Sequence, residues 1–272
     1  MNFRNKTADR GATEFLILSF AAVFLYQVYL AVTFGSNAAN NFVMTFAFLE
    51  QEFLQGQYYR VFTSMFLHGG IAHLASNSII FYLAGKSLEK KIGSIKFVIL
   101  FLASGVSGSL LTTVFLDLTV PAIGASGGVF GILAAASLLV PTSSYLENIP
   151  VLEKFSLPVI RVLFSIVIVG VYFVFQETVM ASLQIYQLVD NNVGHVAHFG
   201  GILAGITFSY LGYPDETRHS MKFTIPLVGM LIALVALPKF TEIWFGILVI
   251  LVFFLIFWRR ERKKKVGEFG LS

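Results

Sequence analysis

Eight apolar runs, with nearly all basic residues gathered in every second connection, leave this chain few ways to fold. The runs lie at about Phe15 to Phe34, Ile71 to Ala84, Phe97 to Leu116, Ser126 to Val140, Leu157 to Phe175, Val196 to Leu211, Phe223 to Leu237 and Ile243 to Trp258. With 56% hydrophobic and 12% charged residues among 272, there is too little polar surface to cover such runs in water, where domains carry about 25% charged residues. Helices satisfy their own backbone groups in lipid. The expected fold class is therefore an all-α polytopic membrane protein with eight spans.

Placing the N-terminus in the cytoplasm puts 17 of the 19 Lys and Arg residues inside and leaves only Arg60 and Lys239 outside. The positive-inside rule supports that orientation. A seven-span count would export the Arg259 to Lys265 cluster, unless Phe223 to Leu237 lies along the interface. The first run follows a basic stretch, as a signal peptide does, but no small-residue cleavage site follows it, and it is read as a retained span. The absence of cysteine excludes disulfides and thiolate metal sites. The first outer connection, about 35 to 66, is rich in Phe and Tyr and is expected to form short interfacial helices. The expected organisation is a cytoplasmic segment 1–13, a six-span core 14–213, two further membrane helices 214–258 and a basic cytoplasmic tail 259–272. An active site in the core would open to the outer face, and the expected location is the plasma membrane.

Two polar residues inside these runs can do chemistry. Ser126, within Gly124-Ala125-Ser126-Gly127-Gly128, stands where a helix is expected to begin; free N–H groups and the positive dipole end favour a developing oxyanion there. The string satisfies G-x-S-x-G, but that nucleophile elbow needs a preceding strand that this chain lacks. Small residues also serve close helix packing, so the string alone is weak evidence. His198 continues a glycine seam, because residues 198, 201 and 205 share one helical face. Gly127, Gly131 and Ala134 or Ala135 form a matching stripe on the fourth run. An incidental histidine on a packing motif is the plain alternative, yet histidines at membrane depth are usually functional.

Helix rise tests the pairing. Ser126 stands 15 residues from Pro141 and His198 stands 15 from Tyr213, so each lies roughly 22 Å above the inner boundary. In a hydrocarbon core of about 30 Å, that is about 8 Å beneath the outer face. On the second run His73 and Asn77 fall roughly 20 Å and roughly 14 Å above Lys86, pointing the same way at i and i+4. Their expected role is oxyanion stabilisation; interhelical hydrogen bonding is the alternative. Water would reach this level through a cavity lined by Gly69, Gly70, Ser76 and Ser78. Asp117 and Glu177 belong to outer connections and Asp190 lies eight residues before His198, so no carboxylate is expected to orient the histidine. The expected unit is a Ser126-His198 dyad.

With these residues in view, the sequence resembles the rhomboid intramembrane serine proteases over about residues 14 to 212. The resemblance rests on His68-x4-His73-x3-Asn77, Gly124-Ala125-Ser126-Gly127 and Ala197-His198-x2-Gly201-x3-Gly205, in the order and spans of that family. It implies that Ser126 is the nucleophile, that His198 is the general base, and that His73, Asn77 and the Ser126 amide bind the oxyanion. Gly124, Gly127, Gly201, Gly205 and His68 support them, and Phe130 lies under the His198 ring. Tyr59-Arg60 stands where the family commonly has Trp-Arg. Substrates would be single-span or other transmembrane proteins in the lipid bilayer, with no cofactor, no metal and no nucleic acid.

Two rivals remain. Four of the five histidines (His68, His73, His195 and His198) fall near the outer face, which suits a metal site or metal transporter, although no carboxylate or cysteine is expected beside them. A catalytically inactive rhomboid-like binder of membrane helices is the other.

Overall fold

A single carboxylate gathers three helices at one end of the bundle. The computed structural model describes residues 11–115, 121–140, 176–181, 183–184 and 194–222. Helix α1 (Ala12–Phe34) starts against Glu89, whose carboxylate accepts from the Ala12 N–H at 2.6 Å, the Thr13 N–H at 3.0 Å, the Thr13 hydroxyl at 2.7 Å and the Ser94 hydroxyl at 2.5 Å. Those α1 amides have no intrahelical acceptor, and a negative charge is favourable at that dipole end. Glu89 belongs to α5 (Ile71–Ile92) and Ser94 opens α6 (Ser94–Phe115). Lys86, one turn earlier on α5, pairs with Glu14 of α1.

Between α1 and α5 the aromatic-rich connection forms three short helices, α2 (Ser36–Phe46), α3 (Glu50–Leu54) and α4 (Arg60–Thr63), with a 3-10 turn at Ser64–Phe66. Arg60 is buried and holds this segment together. Its guanidinium donates to the carbonyls of Met44 at 2.7 Å and Ala47 at 2.8 Å, and to the Gln57 side chain at 2.8 Å. The neighbouring Tyr59 hydroxyl bonds the Gln57 side chain at 3.1 Å. A β-bridge between Phe48 and Ala122 ties the connection to the loop ahead of α7 (Ser126–Leu139). Helix α8 (His195–Gly212) completes the described bundle, and residues 176–181 and 183–184 are also helical.

Five of the expected apolar runs are thus helices. The fifth, seventh and eighth runs and the basic tail lie outside the described residues. Among the described residues, α1 and α6 are long and apolar enough to cross a membrane. Helix α5 runs past its apolar part into the polar stretch containing Lys86, Glu89, Lys90 and Lys91. With 14 residues, α7 rises about 21 Å, less than a hydrocarbon core of about 30 Å.

The core forms where small residues let helices touch. Phe20, Phe81, Phe97 and Phe101 pack ring against ring between α1, α5 and α6, with centroids 5.2 to 5.8 Å apart. Helix α7 is buried along nearly its whole length between α5, α6 and α8. Its sequence carries no polar face because it has none to present.

Glu89 lies at the polar end of α5, outside the apolar stretch. Burial pushes its carboxyl up, but the hydrogen bonds from Ser94, Thr13 and Ala12 outweigh that and hold it below its ordinary value of 4.5. Because the folded value is the lower one, its stabilisation is complete above the unfolded value and is lost as pH falls through the folded value. Glu89→Ala is expected to cost roughly 1 to 3 kcal/mol at neutral pH, read as a lower Tm in detergent. The difference from the unaltered chain should shrink as the pH is taken below 4.5.

Candidate active site

The site is set by how closely α7 and α8 approach. A Cβ at Gly201 would collide with the carbonyl of Gly127, and one at Gly205 with the carbonyl of Gly131. Both pairs advance by four residues, so the two helices run parallel and in register, one turn against one turn. That register sets Ser126, the first residue of α7, level with Ala197 and His198. Helix α6 closes the third side: a Cβ at Gly200 would lie 2.8 Å from the Gly108 Cα, and the Ser107 hydroxyl donates to the Gly200 carbonyl at 2.9 Å.

Ser126, His198, His73, Asn77 and Phe130 line one cavity of about 570 Å³, together with Gln184. Phe130 is one turn along α7 from Ser126 and stacks on the His198 ring, centroids 4.4 Å apart and planes 22° from parallel. Gly124, at φ 119°, takes a conformation that other residues rarely adopt. A Cβ there would lie 2.8 Å from His73 Nε2 and 3.8 Å from Asn77 Nδ2. The serine loop thus rests against both side chains. The Gly124 N–H donates to the Ser64 carbonyl at 2.9 Å, anchoring that loop to the 3-10 turn.

His73 accepts from the Gly69 N–H at Nδ1, at 3.5 Å, which leaves Nε2 as its N–H donor facing Gly124. Asn77 is buried, and its Nδ2 makes no hydrogen bond among the described residues. His68 does not line the cavity. It stands behind His73, ring centroids 5.1 Å apart, with its backbone N–H and carbonyl both bonded to the Gln27 side chain of α1 at 3.2 and 3.1 Å. Of the expected lining residues, Gly69 and Ser76 face the cavity and Gly70 and Ser78 do not.

One expectation is overturned. Glu177 is not remote from His198; its Oε2 lies 2.7 Å from His198 Nδ1 and 2.6 Å from His195 Nδ1, and all three side chains are buried. A glutamate two residues past an apolar run reads as solvated, and linear spacing carries no signal of a contact with a residue 21 positions further along the chain. Counted from Leu157 at 1.5 Å per residue, Glu177 stands 20 residues or roughly 30 Å above the inner boundary, about 8 Å above His198, so helix rise alone does not pair them. Asp117 and Asp190 lie outside the described residues. Gln184 is a second residue that the sequence did not single out; its side-chain oxygen accepts from the Val196 N–H at 3.2 Å in the first turn of α8.

The histidines fall into two sets, His68 with His73 and His195 with His198. Among the described residues only the second joins a carboxylate, and the four histidines do not gather into one cluster. Glu177, His195 and His198 keep their ligand atoms within 4.8 Å of one another. Their N to O separations of 2.6 and 2.7 Å are hydrogen-bond lengths. Ligands about 2.0 to 2.1 Å from a tetrahedral zinc would stand roughly 3.3 Å apart.

A serine at a helix N-terminus, a histidine stacked on Phe130 in the same cavity and two side chains against the serine loop stand together within a helical bundle. The rhomboid domain family profile matches residues 55–215, and the chain belongs to the rhomboid family. It is 35% identical to rhomboid protease GluP of Bacillus subtilis (strain 168) over 127 residues, 47% of this chain and 25% of that one. With rhomboid protease AarA of Providencia stuartii it is 26% identical over 243 residues, covering 83% of this chain and 82% of the relative. RHOMBOID-like protein 2 of Arabidopsis thaliana is 32% identical over 155 residues, 57% of this chain and 42% of that one. The matched part is thus about a quarter of the GluP length, less than half of the Arabidopsis protein and most of AarA.

Gly201→Ala is expected to cost about 1 to 3 kcal/mol by overpacking, and Gly201→Val to separate α7 from α8 altogether. Thermal scans with limited proteolysis in detergent check both; an unchanged Tm in the valine variant would contradict the seam.

Proposed function

We propose that this protein is an intramembrane serine endopeptidase, with Ser126 as nucleophile and His198 as general base. The observation that carries this reading is that both residues line one cavity, with Phe130 stacked on the imidazole. Membership of a family whose relatives include named proteases supports it. Ser126 Oγ attacks the scissile carbonyl carbon while its proton passes to His198 Nε2. The C–N bond then breaks, and the leaving amine takes that proton from the imidazolium. Water, deprotonated by the same nitrogen, attacks the acyl-serine ester; the serine recovers its proton and the carboxylic acid is released.

Charge develops on the carbonyl oxygen during attack, and donors already aimed at that point lower the barrier most. His73 Nε2, Asn77 Nδ2 and the amide of Ser126 are assigned this role. The Gly69 bond to His73 Nδ1 supports it, because it leaves the outward nitrogen protonated. The buried Nδ2 of Asn77, unbonded among the described residues, supports it as well. Gly124, Gly127, Gly201 and Gly205 allow the close approach, and His68 buttresses His73.

The substrates assigned are transmembrane segments of single-span or other membrane proteins, cut where a locally weak helix uncovers its carbonyls. Both termini are assigned to the cytoplasm of a plasma-membrane protein, the site opening outward, since that orientation places the basic residues inside.

The unaltered chain, reconstituted with a single-span substrate, is expected to cleave it, whereas Ser126→Ala and His198→Ala do not. Cleavage by both variants at the original rate would disprove the assignment; no cleavage by the unaltered chain would favour a helix-binding role. His73→Ala and Asn77→Ala should each lower turnover about tenfold to a hundredfold, less than the loss of a lone oxyanion donor because the set is redundant. Unchanged turnover in the double variant would remove both from the mechanism.

A further inference from the structure

We infer that Glu177 is a positioning residue for His198, making the catalytic unit a Ser-His-Glu triad rather than a dyad; the inference rests on the protease reading above. Ionised carboxylate oxygens only accept hydrogen bonds, so a contact of 2.7 Å from Glu177 Oε2 requires His198 to carry its proton on Nδ1. The lone pair is then on Nε2, the nitrogen that must receive the Ser126 proton. A histidine with no partner at Nδ1 would divide between two tautomers, one of them useless as the base.

Two constraints on one ring reinforce each other. Phe130 stacks on its face and sets its plane. Glu177 holds its Nδ1 edge and sets which nitrogen turns away. The carboxylate is itself held, since His195 Nδ1 donates to the same oxygen at 2.6 Å from one turn earlier on α8. Gln184, further along the Glu177 segment, bonds the Val196 amide. Glu177 is only 6% exposed. A buried carboxylate is costly unless its hydrogen bonds are made, and here two imidazoles make them. When His198 takes the serine proton, the cation forms against a carboxylate already in place, with no solvent to reorganise. The Nδ1 proton stays on His198 throughout, and Glu177 does not take it.

The test uses the full chain in liposomes with a single-span substrate, beside the unaltered protein and Ser126→Ala. Glu177→Gln is expected to lower kcat by about 10²- to 10⁴-fold, as misplacing the tautomer does in soluble triads, with KM changed less than threefold. Glu177→Asp should recover part of the loss, and added formate should partly restore Glu177→Ala; a purely structural residue would give neither. A kcat for Glu177→Gln within threefold of the unaltered chain overturns the triad while leaving the protease reading intact. A chain that cleaves nothing overturns the protease reading instead.

A second measurement needs neither substrate nor variant turnover. In ¹⁵N-histidine-labelled unaltered protein, His198 should be the Nδ1–H tautomer with a strongly downfield N–H proton, assigned by loss of its signal in His198→Ala. Finding the Nε2–H tautomer overturns the inference outright.

Discussion

The backbone contact between α7 and α8 is the interaction on which the rest depends. Ser126 and His198 come from helices far apart in the chain, and neither carries its partner with it. What sets them level is the pairing of Gly127 with Gly201 and Gly131 with Gly205, in which a methyl group on Gly201 or Gly205 would collide with the carbonyl of Gly127 or Gly131. The stacking of Phe130 and the reach of Glu177 to His198 are both measured from that contact. Buried ring stacking and side-chain hydrogen bonds are each modest. They act here because the backbones already hold their owners within range.

A second layer fixes the groups that the seam does not reach. His73 belongs to α5, and its position is controlled from behind: Gln27 of α1 bonds both backbone groups of His68, and His68 packs on His73. The serine loop is held by the Ser64 carbonyl and by the bridge to Phe48. Arg60 stiffens the segment that supplies that bridge, and its neutral partners are carbonyls and an amide rather than a carboxylate. A bidentate counter-ion is unnecessary where several oxygens converge on one guanidinium.

Much of this was readable from residue spacing. Hydropathy located the five described apolar helices to within a few residues, apart from the polar extension of α5. The four-residue glycine rhythm and equal distances to the inner boundary brought Ser126 and His198 to one level. What the sequence concealed are contacts between elements with no common period. Glu177 follows an apolar run and looks solvated; only the fold turns it inward onto two imidazoles. Glu89 likewise reads as one more charge in a basic stretch, when it is the cap of a helix 76 residues earlier in the chain. His68, expected to support the site, stands one layer behind His73.

The glycines of the seam carry a cost in folding as well as in space. Each weakens its own helix by roughly 0.8 to 1.0 kcal/mol relative to alanine, and α7 carries three in its first six residues, Gly127, Gly128 and Gly131. Replacing Gly128 or Gly131 to strengthen the helix is closed off, because the added methyl would collide with Phe101 or with Ser104, whereas Gly127 meets its neighbours only at ordinary contact distance. The start of α7 is therefore a poor helix alone and a good one only against α8 and α6. Secondary structure and site are made in the same event, and a half-docked α7 would be both unwound and without its nucleophile in place.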